Sequence, residues 1–163
     1  MILDGGAVTI GLESTIVDLT EEIPTILRPG YISLEMVQAV LGEAKMDKGL
    51  ISSDSNIHPK APGMKYRHYA PKAPVTVVKG APAATAEYIR THLAPGDGVI
   101  CFDEYASTFS AYPLELLGPS TDVPEQARRV FDALRWFDGT QVTHIWAQCP
   151  DATGIGLAVA NRL

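Results

Sequence analysis

Pro59, Pro62, Pro71 and Pro74, with Gly63 among them, rule out a helix or an interior strand across the middle of this 163-residue chain. Proline lacks the N–H that a helix or a sheet ladder needs, and its ring blocks the preceding turn. Whatever the chain folds into is therefore divided by an extended segment. The stretch Ala61 to Pro74 does not have the small, polar composition of an ordinary loop. It carries Lys65, Tyr66, Arg67, His68, Tyr69 and Lys72. Aromatic faces stack on a base, and lysine and arginine meet phosphate. The prolines hold the segment extended, which lowers the entropy lost on closing over a ligand. A plain spacer has no use for Tyr-x-His-Tyr held between prolines. Lys65, Tyr66, His68 and Tyr69 therefore read as nucleotide contacts.

Charge points to the same place. The net charge of −6 argues against a nucleic-acid binder whose whole surface is basic. Yet Ser55 to Ala86 contains Lys60, Lys65, Arg67, Lys72 and Lys79 and no Asp or Glu. The anion-facing part is local and coincides with the proline-rich segment. No run approaches the roughly 20 apolar residues that cross a bilayer. The start, Met-Ile-Leu-Asp-Gly-Gly, has neither the basic nor the apolar region of a signal peptide. Cys101 and Cys149 lie far apart, each at the end of an apolar run and outside any Cys-x-x-Cys. They read as reduced core cysteines of a cytoplasmic protein, without a disulfide framework or a zinc site.

Three blocks follow: 1–52, a linker at 53–74, and 75–163. In the first, Ser14–Leu19 and Thr25–Arg28 are strand-like, and Ser33 caps a helix through Leu41 that Gly42 stops. Two strands and one helix are too little to bury a core alone. The block is expected to be the end of something longer, with poor order before about Ser52 or association through its open face. The third block alternates strand and helix. Strands fall at Val75–Val78, Val99–Phe102, Leu114–Leu117 and His144–Ala147, and helices at Ala83–Leu93, Pro124–Phe137 and Ile155–Leu163, with Pro95–Gly98 as a turn. In the longest helix Ala127, Val130, Phe131 and Leu134 share one face. Such alternation predicts an α/β fold with a parallel three-layer sheet.

Beyond the linker, candidate site residues are few. Ser14 and Thr15 place two adjacent hydroxyls at a strand start, able to hold the carboxylate or amine of a small substrate or to bond their own backbone. Arg28 sets a guanidinium at the end of a buried strand, just before Pro29-Gly30, where phosphate is often gripped. Gly154-Ile155-Gly156 has only part of a dinucleotide fingerprint and reads as a tight start to a helix. His92 and His144 are single histidines that read as structural. No Gly-x-Ser-x-Gly or Walker loop is present.

Taken together, these pieces resemble one family. The segments are Asp4-Gly5-Gly6, Gly11-Leu12-Glu13-Ser14-Thr15-Ile16-Val17-Asp18, Leu27-Arg28-Pro29-Gly30, Pro62-Gly63-Met64-Lys65-Tyr66-Arg67-His68-Tyr69-Ala70-Pro71, and the closing Gly154-Ile155-Gly156-Leu157-Ala158 with Asn161-Arg162-Leu163. In order and spacing they are similar to the Sua5 proteins, the two-domain form of threonylcarbamoyl-AMP synthase. The resemblance implies a C-terminal remnant of a YrdC-like α/β catalytic domain at 1–52, a linker across its mouth, and a Rossmann-like Sua5 domain at 75–163. It implies condensation of L-threonine, bicarbonate and ATP, with Mg²⁺, to threonylcarbamoyl-adenylate for the t6A modification of tRNA. Carried over, Ser14 contacts L-threonine with Thr15 beside it, Arg28 contacts ATP phosphate, and Lys65, Tyr66, His68 and Tyr69 close over the nucleotide. No catalytic nucleophile is implied. The family's basic nucleotide-binding positions and Ser-x-Asn segment precede Asp4-Gly5-Gly6, so the chain alone is expected to be inactive. The alternative is a non-catalytic regulatory module that binds RNA or nucleotide, with tRNA or the t6A machinery as an indirect partner and no membrane.

Overall fold

The computed structural model describes residues 1–6, 8–51 and 70–163. Strands β1 (Ile16–Asp18) and β2 (Thr25–Arg28) pair antiparallel, with Ile16 opposite Arg28 and a register shift between Ile16 and Val17. Ser33 caps α1 (Leu34–Leu41): its hydroxyl accepts from the Met36 N–H at 3.3 Å, and Gly42 ends the helix at φ 82°. The chain returns as β3 (Lys45–Met46), parallel to β2, and turns into α2 (Lys48–Ile51). These last two elements extend the expected two strands and one helix; at two and four residues they are too short to show a period. Ile26, Val37 and Ala44 make a small core beneath them.

The second sheet begins at β4 (Val75–Val78) and continues through α3 (Pro82–His92), β5 (Asp97–Phe102), a 3-10 turn at Asp103–Phe109, β6 (Leu114–Gly118), α4 (Val123–Trp136), β7 (His144–Gln148) and α5 (Ile155–Arg162). Its order is β4-β7-β5-β6, and every pair is parallel. Strand alternation puts Val99 and Cys101 on one face against Ala86 and Ile89 of α3. Ile100 and Phe102 face the other way, against α4 and α5. This is the expected three-layer Rossmann-like arrangement. Where β5 slips register between Cys101 and Phe102, the buried Gln148 amide compensates. Its oxygen accepts from the Phe102 N–H at 2.9 Å, and its nitrogen donates to the Pro82 carbonyl and to Thr85 Oγ1, both at 2.8 Å. Among the described residues no helix is long and apolar enough to cross a membrane.

The two sheets do not stand apart. Leu12 is buried in the same cluster as Ala127 and Val130 of α4. Gly11, at φ 88°, lies so near α4 that a Cβ there would come within 2.5 Å of the Ala127 carbonyl oxygen. Arg128 Nη1 donates to the Thr9 carbonyl at 3.4 Å. The expectation of a first block that fails to order or looks outward for cover is thus modified. Part of its apolar surface is covered by the second block, an arrangement no local pattern announces.

Candidate functional site

Strand β2 is buried at Thr25, Ile26 and Leu27 and stops at Arg28, because Pro29 has no N–H to continue the ladder. The chain then bends at Gly30 against the start of β1. A Cβ on Gly30 would lie 2.4 Å from the Ser14 carbonyl oxygen, so the two backbones touch only because position 30 is bare. Thr15 Oγ1 donates to the Ile32 carbonyl at 3.0 Å and ties the two segments from the other side. Ser14 itself is exposed. Three of the expected site residues, Ser14, Thr15 and Arg28, therefore converge on one end of the first sheet. A free hydroxyl and a guanidinium there suit an amino acid and an oxyanion respectively. The other four, Lys65, Tyr66, His68 and Tyr69, lie outside the described residues.

Arg28 is partly buried, and its Nε is enclosed without a hydrogen-bond partner. From the last turn of α5, Arg162 extends toward the same corner. Its Nη2 donates to the Pro29 carbonyl at 3.4 Å, and its Nη1 donates to Asn161 Oδ1. Burial, and then the Arg28 charge beside it, pull the Arg162 guanidinium below the usual arginine range. Among the described residues neither arginine forms an ion pair, whereas Arg90, Arg128 and Arg129 each meet Glu87 or Glu125. Arg162 has no role in the sequence reading: 133 positions separate it from Pro29, and a last-turn arginine ordinarily serves the helix dipole.

The remaining candidates are structural. Gly154, at φ 51°, precedes α5, and a Cβ on Gly156 would come within 2.1 Å of the Asp151 carbonyl oxygen. The two glycines allow a tight start to the helix, as expected. His92 stacks on Tyr88 with ring centroids 4.0 Å apart, and its Nδ1 donates to the Tyr88 carbonyl. A 2.8 Å hydrogen bond joins His144 Nε2 to Thr76 Oγ1, and the His144 ring meets Trp146 edge-on. Burial pushes the Cys101 thiol up to about 12 and the Cys149 thiol to about 11, so neither is a nucleophile. Among the described residues no group of three or more His, Cys, Asp or Glu could hold a metal ion. A groove of about 370 Å³ lies where the two blocks meet, lined by Ile10, Tyr31, Met36, Pro124 and Ile155 among others.

Comparison with known proteins identifies the relatives of the chain as a whole. A family model described as the C-terminal domain of threonylcarbamoyl-AMP synthase matches residues 32–163. A threonylcarbamoyl-AMP synthase of Bacillus subtilis (strain 168) is 42% identical over 164 residues, covering 99% of this chain and 47% of that protein. One from Pyrococcus abyssi (strain GE5 / Orsay) is 42% identical over 168 residues, with the same coverage. Among solved structures, P. abyssi Sua5 complexed with L-threonine superposes with a TM-score of 0.81 at 39% identity, covering 98% of this chain and 47% of that one. The chain thus spans about half the length of the curated relatives it matches.

Proposed function

The chain belongs to the threonylcarbamoyl-AMP synthase family through the C-terminal domain of those enzymes, and on that premise we propose that it serves as the C-terminal half of such an enzyme. The reaction is the condensation of L-threonine, bicarbonate and ATP. The L-threonine amine bonds to the bicarbonate carbon, a carbon–oxygen bond breaks and water leaves, giving a carbamate. A carbamate oxygen then bonds to the α-phosphorus, the α–β anhydride bond breaks, and pyrophosphate leaves with the electron pair. The adenylate so formed supplies the t6A modification of tRNA in the cytoplasm, with tRNA a downstream and indirect partner. The observation that carries this reading is the meeting of Ser14, Thr15 and Arg28 at one sheet end, held by the Gly30–Ser14 backbone contact.

In this reading Ser14 faces L-threonine, with Thr15 holding the backbone behind it, and Arg28 faces the ATP phosphates. Lys65, Tyr66, His68 and Tyr69 close over the nucleotide. Such a site acts by orientation and charge neutralisation. Among the described residues no group of three or more His, Cys, Asp or Glu could hold a metal ion, so Mg²⁺ would enter with ATP. Helix α1 leaves Met36, Val40 and Leu41 exposed, an apolar face against which the remaining half of the enzyme would pack.

The test is a chimera that joins this chain to the N-terminal half of the B. subtilis relative. Pyrophosphate release from ATP that depends on L-threonine and bicarbonate is the expected result. Arg28→Ala or His68→Ala should lower it about ten-fold or more with the fold intact, the range for losing a charged hydrogen bond. A folded chimera without activity, or unchanged adenylate formation in both variants, would sink the reading.

A further inference from the structure

We propose that Arg28 and Arg162 form a single two-guanidinium site for a phosphate or phosphoanhydride group, with the last helix of the chain supplying half of it. The inference rests on Arg28 being a nucleotide contact, and adds a binding residue from the opposite end of the sequence.

Bringing two like charges together out of water opposes folding. Arg162 bears both costs, since burial and the Arg28 charge each act against its protonated form. Neither arginine has a carboxylate partner among the described residues. A guanidinium has five N–H donors in a planar fork. Arg162 directs one each to Asn161 and Pro29, which leaves three free and fixes the plane of the group. The Arg28 Nε is enclosed and directs its N–H to nothing. An oxyanion seated beside the two guanidinium groups would offset their repulsion through the N–H donors that remain outside the enclosed Nε. Bidentate arginine contacts favour phosphate geometry for the same reason.

A helix-dipole role explains a cation in the last turn of α5, but it accounts for neither the enclosed Arg28 Nε nor the reach of Arg162 to Pro29. Placement is firm on both sides. Pro29 and Gly30 lock the end of β2 against Ser14, and Gly156 locks the start of α5 against Asp151. The site would therefore join the two blocks through its ligand, and binding would tighten the contact between them.

The experiment titrates the full 163-residue chain with inorganic pyrophosphate by calorimetry and follows its melting with and without that probe. Wild type is compared with Arg28→Gln, Arg162→Gln and Arg162→Lys. Saturable binding is expected for the wild type, with each Gln variant about ten-fold weaker or more, as for loss of a charge-assisted hydrogen bond. Arg162→Lys should fall between, keeping the charge but not the fork. Without pyrophosphate, both Gln variants should melt at or above the wild type, because the repulsion is gone. If Arg162→Gln binds like the wild type while Arg28→Gln does not, the shared site is wrong and the Arg28 reading stands. If neither substitution weakens binding, both fall. An Arg162→Gln chain that melts lower yet binds normally would make Arg162 only a tie to the Pro29 carbonyl. Absence of saturable binding by the wild type at millimolar pyrophosphate also overturns the inference.

Discussion

Glu115 shows how much of a residue's chemistry is set by what the fold brings beside it. It sits mid-strand in β6, and its carboxyl is raised above the ordinary 4.5 by burial first and by Asp132 of α4 second. A raised carboxyl means that the folded chain holds its proton to higher pH than the unfolded one. Stability from this group is full below the ordinary value and falls as pH rises through the raised one. Glu115→Gln should therefore match the wild-type melting temperature near pH 3 and exceed it at neutral pH by roughly 1–3 °C, discounted for partial exposure. Equal melting curves at pH 7 would show that the charge is well solvated. Arg28 and Arg162 illustrate the same limit. The end of a buried strand before Pro29 is a local pattern, so Arg28 is legible in sequence. The partner that makes it unusual comes from 133 positions beyond Pro29, and no local pattern encodes it.

At the scale of elements, α4 was the most legible, and its physics explains why. Asp122 caps it, its carboxylate accepting from the Glu125 N–H at 3.0 Å, and Pro124 sits in the first turn, where a missing N–H is harmless. Ala127, Val130, Ala133 and Leu134 then bury one face. Asp122→Ala should cost about 1 kcal/mol, and Asp122→Asn or Asp122→Ser should recover most of it, as urea unfolding would measure. An alanine variant as stable as the wild type would mean that the cap contributes nothing. The start of β5 departs from its local pattern for an equally definite reason. Pro95-Gly96-Asp97-Gly98 has the composition of a turn, but Asp97 and Gly98 pair with His144 and Ile145 in β7. Neighbouring strands override the local preference. Asp97 accepts from the Ala94 N–H and from the Trp146 indole at 2.9 and 3.0 Å, so its burial is satisfied.

For the whole molecule, the consequential contact is the seating of the first block on α4. Gly11→Ala would place a Cβ against the Ala127 backbone at a φ that only glycine adopts readily. A loss of about 1–3 kcal/mol is expected, the range for a strained backbone position. Amide exchange should rise in β2 as well as at the start of α4, because the first block loses its support. Faster exchange confined to residues next to Gly11 would mean that the small core of Ile26, Val37 and Ala44 stands alone.

The layers of the second block, the cap and stop of α1, the place of Arg28 and the family are all written in local sequence. These depend on periods of 2 and 3.6 and on proline and glycine, all of which act within a few residues of themselves. Long-range packing alone makes Leu12 complete the core under α4, requires Gly30 to be bare to admit Ser14, and brings Arg162 to the end of β2. Each of these depends on a distance between segments far apart in the chain, and packing sets that distance while local propensity carries no record of it.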